Sequence, residues 1–133
     1  MPAPRPQLLG DLELAVMGHV WAAGPVDVKA CHAAVGERRR ITHNTIQSTM
    51  ERLFRKGLLR REKVSHAFVY EAAVSREVYG ARVAEHVVSA VVGRDAPATV
   101  LAAFVDLADR AGEEQLARLE RLVAERRAGR DRR

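Results

Sequence analysis

The 133-residue sequence predicts a mainly α-helical protein with one small β-hairpin, followed by a C-terminal helical domain. Three observations predict it. Apolar residues recur at three- and four-residue spacing through most of the chain. That period gives way to alternation only between about residues 59 and 71. Beyond position 74 the pattern is purely helical again.

Residues 1–7 hold three prolines and are expected to form a loose arm. A first helix is expected from about Asp11 to Ala22. Leu12, Val16 and Val20 recur at four-residue spacing, and Met17 and Trp21 widen the stripe. Ala-Gly-Pro then stops it. Asp27 is suited to cap a second helix, about Val28 to Gly36, with Val28, Cys31 and Val35 on its buried side. Thr42 is suited to cap a third, which Gly57 ends in a left-handed turn. Ile46, Met50 and Leu53 form its inner face, and Lys56 sits where the helix dipole favours a cation.

Two short strands follow, Leu59 to Val64 and a second one that places Phe68 and Tyr70 on one face. Ser65-His66 joins them without the Asn-Gly or glycine that favours such a turn. Ser75 can cap a long fourth helix, with Glu77 near its positive end. Gly93 and Pro97 punctuate, a fifth helix follows, Gly112 breaks it, and a sixth becomes arginine-rich. The expected domains are 8–74 and 75–128, with flexible termini at 1–7 and 129–133.

Three helices and then a two-stranded hairpin is the order of a winged helix-turn-helix. In such a fold the second and third helices form a rigid corner, and the third presents its outer face to the DNA major groove. Opposite Ile46, Met50 and Leu53 lie Asn44, Ser48, Glu51 and Arg55, flanked by Thr45, Gln47 and Arg52. Amides and hydroxyls on such a face can hydrogen-bond to base edges. An ordinary solvated helix face would carry the same residue types.

Charge separates the two readings. Lys and Arg number 22 against 17 Asp and Glu, a net +5. Between Gly36 and Val64 alone, nine basic residues stand against three acidic, an excess of six. A basic excess on the presumed reading helix and hairpin favours an anionic partner, nucleic acid first. The candidate DNA-binding residues are therefore Thr42, His43, Asn44, Thr45, Gln47, Ser48, Arg52, Arg55, Lys56, Arg60, Arg61, Lys63 and His66. His66 at the hairpin tip reads equally well as a solvated turn residue. The arginines at 126, 127, 130, 132 and 133 could assist DNA binding or simply keep a frayed terminus soluble.

The C-terminal helices have broad apolar faces and little within one tail to bury them against. Val78, Val83, Val87, Val91, Leu101, Phe104, Val105, Leu116, Leu119 and Val123 are the expected dimerisation residues. A homodimer would bring two equivalent DNA-binding domains to a two-fold symmetric operator.

Other classes find less in the sequence. The single cysteine, Cys31, excludes an internal disulfide and a Cys-rich metal site, and reads as a small core residue rather than a redox sensor. The five histidines, at 19, 32, 43, 66 and 86, have no metal-ligand spacing, so no metal or cofactor is expected. No Gly-rich phosphate loop, His-Glu-x-x-His or nucleophile motif supports an enzyme. The start of the chain lacks a signal-peptide core and no apolar run is bilayer-length, so a cytoplasmic protein without membrane insertion is expected. The alternative function is a winged-helix interaction module whose basic face docks an acidic protein.

Several stretches resemble a known family. Leu9-Gly-Asp-Leu-Glu-Leu-Ala-Val-Met17 with Val20-Trp21 is similar to the opening of the BlaI/MecI penicillinase repressors. So are Thr45-Ile-Gln-Ser-Thr-Met-Glu-Arg-Leu53, Lys56-Gly-Leu-Leu59 and Phe68-Val69-Tyr70. The resemblance covers about residues 8–110. It implies a homodimeric repressor on a palindromic operator, often with TACA/TGTA-type half-sites, read by residues matching Asn44, Thr45 and Ser48. It also implies a membrane sensor protease as a partner, because staphylococcal members are released by cleavage of an Asn–Phe bond. The matching bond here is Ala103–Phe104, a departure at that step. Copper-responsive relatives carry C-terminal Cys-x-Cys motifs, which this cysteine-free tail lacks.

Overall fold

The computed structural model describes residues 8–93 and 97–133; the arm expected at 1–7 lies outside the described residues. The winged-helix order expected from the sequence is the order found. α1 spans Asp11–Ala23 and buries Val16, Met17 and Val20.

β1 is a two-residue strand, Val26–Asp27, that the sequence does not announce. Two residues have no period to read. Pairing makes it a strand: Val26 lies opposite Tyr70 and Asp27 opposite Val69. The expected two-stranded hairpin is thus part of a three-stranded antiparallel sheet.

α2 is a continuous helical segment over residues 28–39, built from Val28–Cys31, a π turn at His32–Gly36, and Glu37–Arg39. The Asp27 carboxylate caps it, accepting from the Ala30 N–H at 2.8 Å. The sequence suggests an end at Gly36, but Gly36 has helical angles, φ −72° and ψ −42°. It is small for packing, not for stopping. A Cβ there would lie 2.5 Å from His32 Cδ2 and 3.1 Å from the Ile41 carbonyl oxygen. The helix ends instead at Arg40, whose φ is +56°. The Arg40 N–H donates to the Glu37 carbonyl at 3.3 Å, and the Ile41 N–H to the Gly36 carbonyl at 2.9 Å. These are the two bonds of a Schellman turn, with arginine where glycine is usual.

α3 spans His43–Arg55. Thr42 caps it, its Oγ1 accepting from the Thr45 N–H at 3.2 Å. Ile46, Met50 and Leu53 are fully buried. Thr49 is buried beside them, satisfied because its hydroxyl donates to the Thr45 carbonyl at 2.8 Å. Gly57, at φ +81°, turns the chain into the sheet.

β2 is Leu59–Val64 and β3 is Ala67–Ala72. Their register puts Leu59 opposite Ala72, Arg61 opposite Tyr70 and Lys63 opposite Phe68. Side chains alternate between faces, so these three pairs share one face. Arg60 and Glu71 pair on the other. Of the two linking residues only Ser65 has positive φ, +60°, as at the first central position of a type II′ turn. One apolar cluster joins α1, α2, α3 and the sheet, with Cys31, Leu59 and Tyr70 inside it. Burial pushes the Cys31 thiol up to about 11, so it is protonated and inert at neutral pH.

α4 spans Arg76–Val92, α5 Ala98–Arg110 and α6 Glu113–Asp131. Ser75 caps α4, accepting from the Val78 N–H at 3.1 Å. α6 runs into the segment expected to be a flexible terminus. No proline interrupts it, and Gly129 alone costs only about 1 kcal/mol relative to alanine.

The chain divides into two compact units, one ending at Val87 and one beginning at Val88. The division falls inside α4 rather than ahead of it. The start of α4 is tied to α1: the Trp21 indole N–H donates to the Val74 carbonyl at 2.9 Å. Tyr79 is buried with its ring 5.8 Å from the Trp21 ring, and the Arg76 guanidinium sits 5.4 Å over Trp21. In the second unit neither α5 nor α6 buries a single residue.

Candidate nucleic-acid interface

The exposed side of α3 is polar. His43, Asn44, Gln47, Ser48, Arg52 and Arg55 are all solvent-exposed. The side chains of Asn44, Gln47 and Ser48 form no hydrogen bond with any described residue, so their donors and acceptors are available to a ligand. Thr42 and Thr45 are exposed too, but their hydroxyls are partly spent on each other, 3.0 Å apart at the cap. His43 stands edge-on to His32, with ring centres 5.9 Å apart. His32 Nε2 lies 2.9 Å from the Ile41 carbonyl oxygen. A carbonyl only accepts, so that nitrogen carries the proton.

The cations sort into two groups. Four of those expected to meet DNA are held by carboxylates of the same domain. Lys56 Nζ is 2.7 Å from Glu13 Oε2, with both side chains mostly buried. Burial pushes the Glu13 carboxyl up, but hydrogen bonds from Lys56 and Gly10 and the charges of Lys56 and Arg52 outweigh it and hold it below its usual value. Arg60 pairs with Glu71 at 2.7 Å and Arg55 with Glu51 at 3.3 Å. Both of these pairs are exposed, so exchanging the carboxylate for a phosphate costs little.

Arg61 is the most constrained of the four. Its guanidinium lies 4.0 Å from the Phe54 ring centre and 4.1 Å from that of Phe68. It also pairs with the Glu51 carboxylate and contacts the Tyr70 hydroxyl at 3.4 Å. Phe54 and Glu51 belong to α3, while Arg61, Phe68 and Tyr70 belong to the hairpin. Arg61 therefore joins helix to wing. The sequence shows its charge and suggests a phosphate contact; the structure engages that charge internally. The signal for this was the strand register, which sets Arg61 opposite Tyr70 on the α3-facing side.

Among the described residues, Arg38, Arg39, Arg40, Arg52 and Lys63 form no ion pair. Lys63 and His66 are exposed toward the tip of the hairpin. No group of three His, Cys, Asp or Glu among the described residues could hold a metal ion.

A polar helix face, a basic helix end with no described carboxylate partner and a wing are the features that a duplex-binding surface needs. The penicillinase repressor profile matches residues 9–125. The chain belongs to the penicillinase repressor family. The transcriptional regulators BlaI of two Mycobacterium tuberculosis strains, CDC 1551 and H37Rv, are each 32% identical over 122 residues, covering 91% of this chain and 86% of theirs. The solved DNA-binding domain of the repressor BlaI aligns with a TM-score of 0.51 and 27% identity, covering 59% of this chain and 94% of that one. As a penicillinase repressor, the protein is a DNA-binding transcriptional repressor and not an enzyme. Family membership makes DNA, and not only an acidic protein, a partner of this chain. No described helix is long and apolar enough to cross a membrane.

Proposed function

We propose that this repressor acts as a homodimer on a two-fold symmetric operator in the bacterial cytoplasm, with α3 of each protomer in the major groove and the hairpin against the neighbouring backbone. The observation that carries the α3 assignment is its exposed row of polar side chains without a described hydrogen-bond partner, Asn44, Gln47 and Ser48. A helix fits the major groove, and amide and hydroxyl groups match the base edges displayed there. Arg52, Lys63 and His66 are assigned to the phosphates beside that groove.

The dimer reading rests on the exposed apolar side chains of α4, α5 and α6. Leu101 is 56% exposed, Phe104 42% and Val105 46%, with Leu122 and Val123 each at 48%. Val78, Val87 and Val91 on α4 are exposed as well, whereas Val83, Leu116 and Leu119 are half-buried. Two helices that leave this much apolar surface in water are stabilised by a second copy. Release by a membrane sensor protease meets an obstacle in this chain. The Ala103–Phe104 bond lies in the middle of α5, so a protease must first unwind the helix.

The test is DNase I footprinting of the full-length protein on genomic fragments, paired with mass measurement of the complex. The expected result is a two-fold symmetric footprint holding two protomers. A single protomer on an asymmetric site would overturn the dimer reading.

A further inference from the structure

We propose that the main phosphate grip of this protein is the C-terminal end of α2, Arg38-Arg39-Arg40, which leads into α3, and that neither Lys56, just past the far end of α3, nor Arg61 of β2 contributes to it. The inference rests on the DNA reading above and names which cations carry it.

Three observations support it. All three turn arginines are exposed, and among the described residues none is paired with a carboxylate. Lys56 and Arg61 are both paired, with Glu13 and Glu51. The same basic stretch thus contains cations already neutralised by the protein and cations that no described carboxylate neutralises.

Position agrees with charge. A helix lying in the major groove reads bases chiefly with its N-terminal residues. Arg40 is separated from the first residue of α3, His43, only by Ile41 and the capping Thr42. With 13 residues, α3 is roughly 20 Å long. Lys56 lies at the end away from the turn and is anchored to α1 through Glu13.

The backbone supplies the third observation. Arg40 adopts φ +56° at a helix end where glycine would avoid the steric cost. Its N–H and that of Ile41 close the turn back onto Glu37 and Gly36. A non-glycine residue held in this conformation presents a cation from a fixed turn. Guanidiniums at this end of α2 are the groups that could bond phosphates flanking the groove that α3 enters.

The experiment is fluorescence anisotropy with a labelled mixed-sequence duplex, over a series of salt concentrations, using the full-length protein. Each phosphate contact contributes about 0.9 to the slope of log K against log salt. Arg38→Gln, Arg39→Gln and Arg40→Gly are each expected to lower the slope by roughly that amount, and the triple variant by about three times as much. Arg40→Gly is also expected to melt no earlier than wild type, because glycine suits the left-handed turn. The single variants keep the measurement decisive if the triple variant melts early. A charge-matched control, Arg126→Gln with Arg127→Gln and Arg130→Gln on α6, is expected to keep the full slope. Wild-type binding with an unchanged slope in the turn variants overturns this inference alone. An equal loss in the α6 control also overturns it, since net charge would then explain the effect. A wild type that binds no duplex in a salt-dependent way would instead remove the DNA reading beneath it.

Discussion

Gly36→Ala is expected to destabilise the N-terminal unit by about 2 kcal/mol, the middle of the range for overpacking a well-packed site. The new methyl group would sit 2.5 Å from His32 Cδ2, well inside contact distance. The imidazole cannot swing away without cost, because its Nε2 is bonded to the Ile41 carbonyl at 2.9 Å. That carbonyl is itself only 3.1 Å from the added carbon. The strain falls on the corner between α2 and α3. DNA binding should therefore fall together with stability. Thermal melting followed by circular dichroism checks it, with a drop of about 10 °C for a unit of this size. His32→Ala in the same chain should recover part of the loss, because the ring is what the methyl meets. A double variant whose loss is the full sum of the two singles would show that ring and methyl do not interact.

Arg61→Ala is expected to weaken DNA binding roughly tenfold, the scale of one well-made contact, without altering the salt slope. The guanidinium fills the space between Phe54 of α3 and Phe68 of β3, and Glu51 holds it there. Removing it unties the hairpin from α3. The charge itself is already neutralised, so few counterions should be gained or lost. Arg61→Lys separates positioning from simple charge. Lysine keeps the cation but has no planar face for two rings and no fork for the carboxylate. If Arg61 positions the wing, lysine behaves like alanine. If Arg61 binds a phosphate, lysine restores both affinity and slope.

Much of the fold was legible because its signals are local. Asp27, Thr42 and Ser75 each cap the helix that their side chains suggest. Gly57 takes the left-handed turn expected of it. The buried face of α3 follows from a simple helical period. Signals that depend on a distant partner were not legible. β1 exists only through its pairing with Tyr70 and Val69. Gly36 looks like a terminator, yet its role is set by the ring of His32 packed over it. The first turns of α4 join the N-terminal unit through Tyr79 on Trp21, a contact that no periodicity encodes.

The candidate site divides in the same way. The polar row of α3 could be read from a helical wheel, since exposure follows from the buried stripe opposite. The basic excess could be counted, but counting does not reveal which charges are already answered. Lys56 and Arg61 meet Glu13 and Glu51 from other elements. Arg38, Arg39 and Arg40 belong to the same excess, and that no described carboxylate pairs with them becomes visible only in three dimensions.

The most direct test of the account is the ratio of affinities for a duplex selected by the protein itself and for a mixed-sequence duplex, measured for wild type and for Asn44→Ala with Ser48→Ala. If the outer face of α3 reads bases, the double variant loses most of that ratio, at about 1–3 kcal/mol for each well-made base contact removed. Its affinity for the mixed-sequence duplex and its salt slope should stay close to wild type. A double variant that keeps the full ratio would contradict the assignment of α3 as the reading helix.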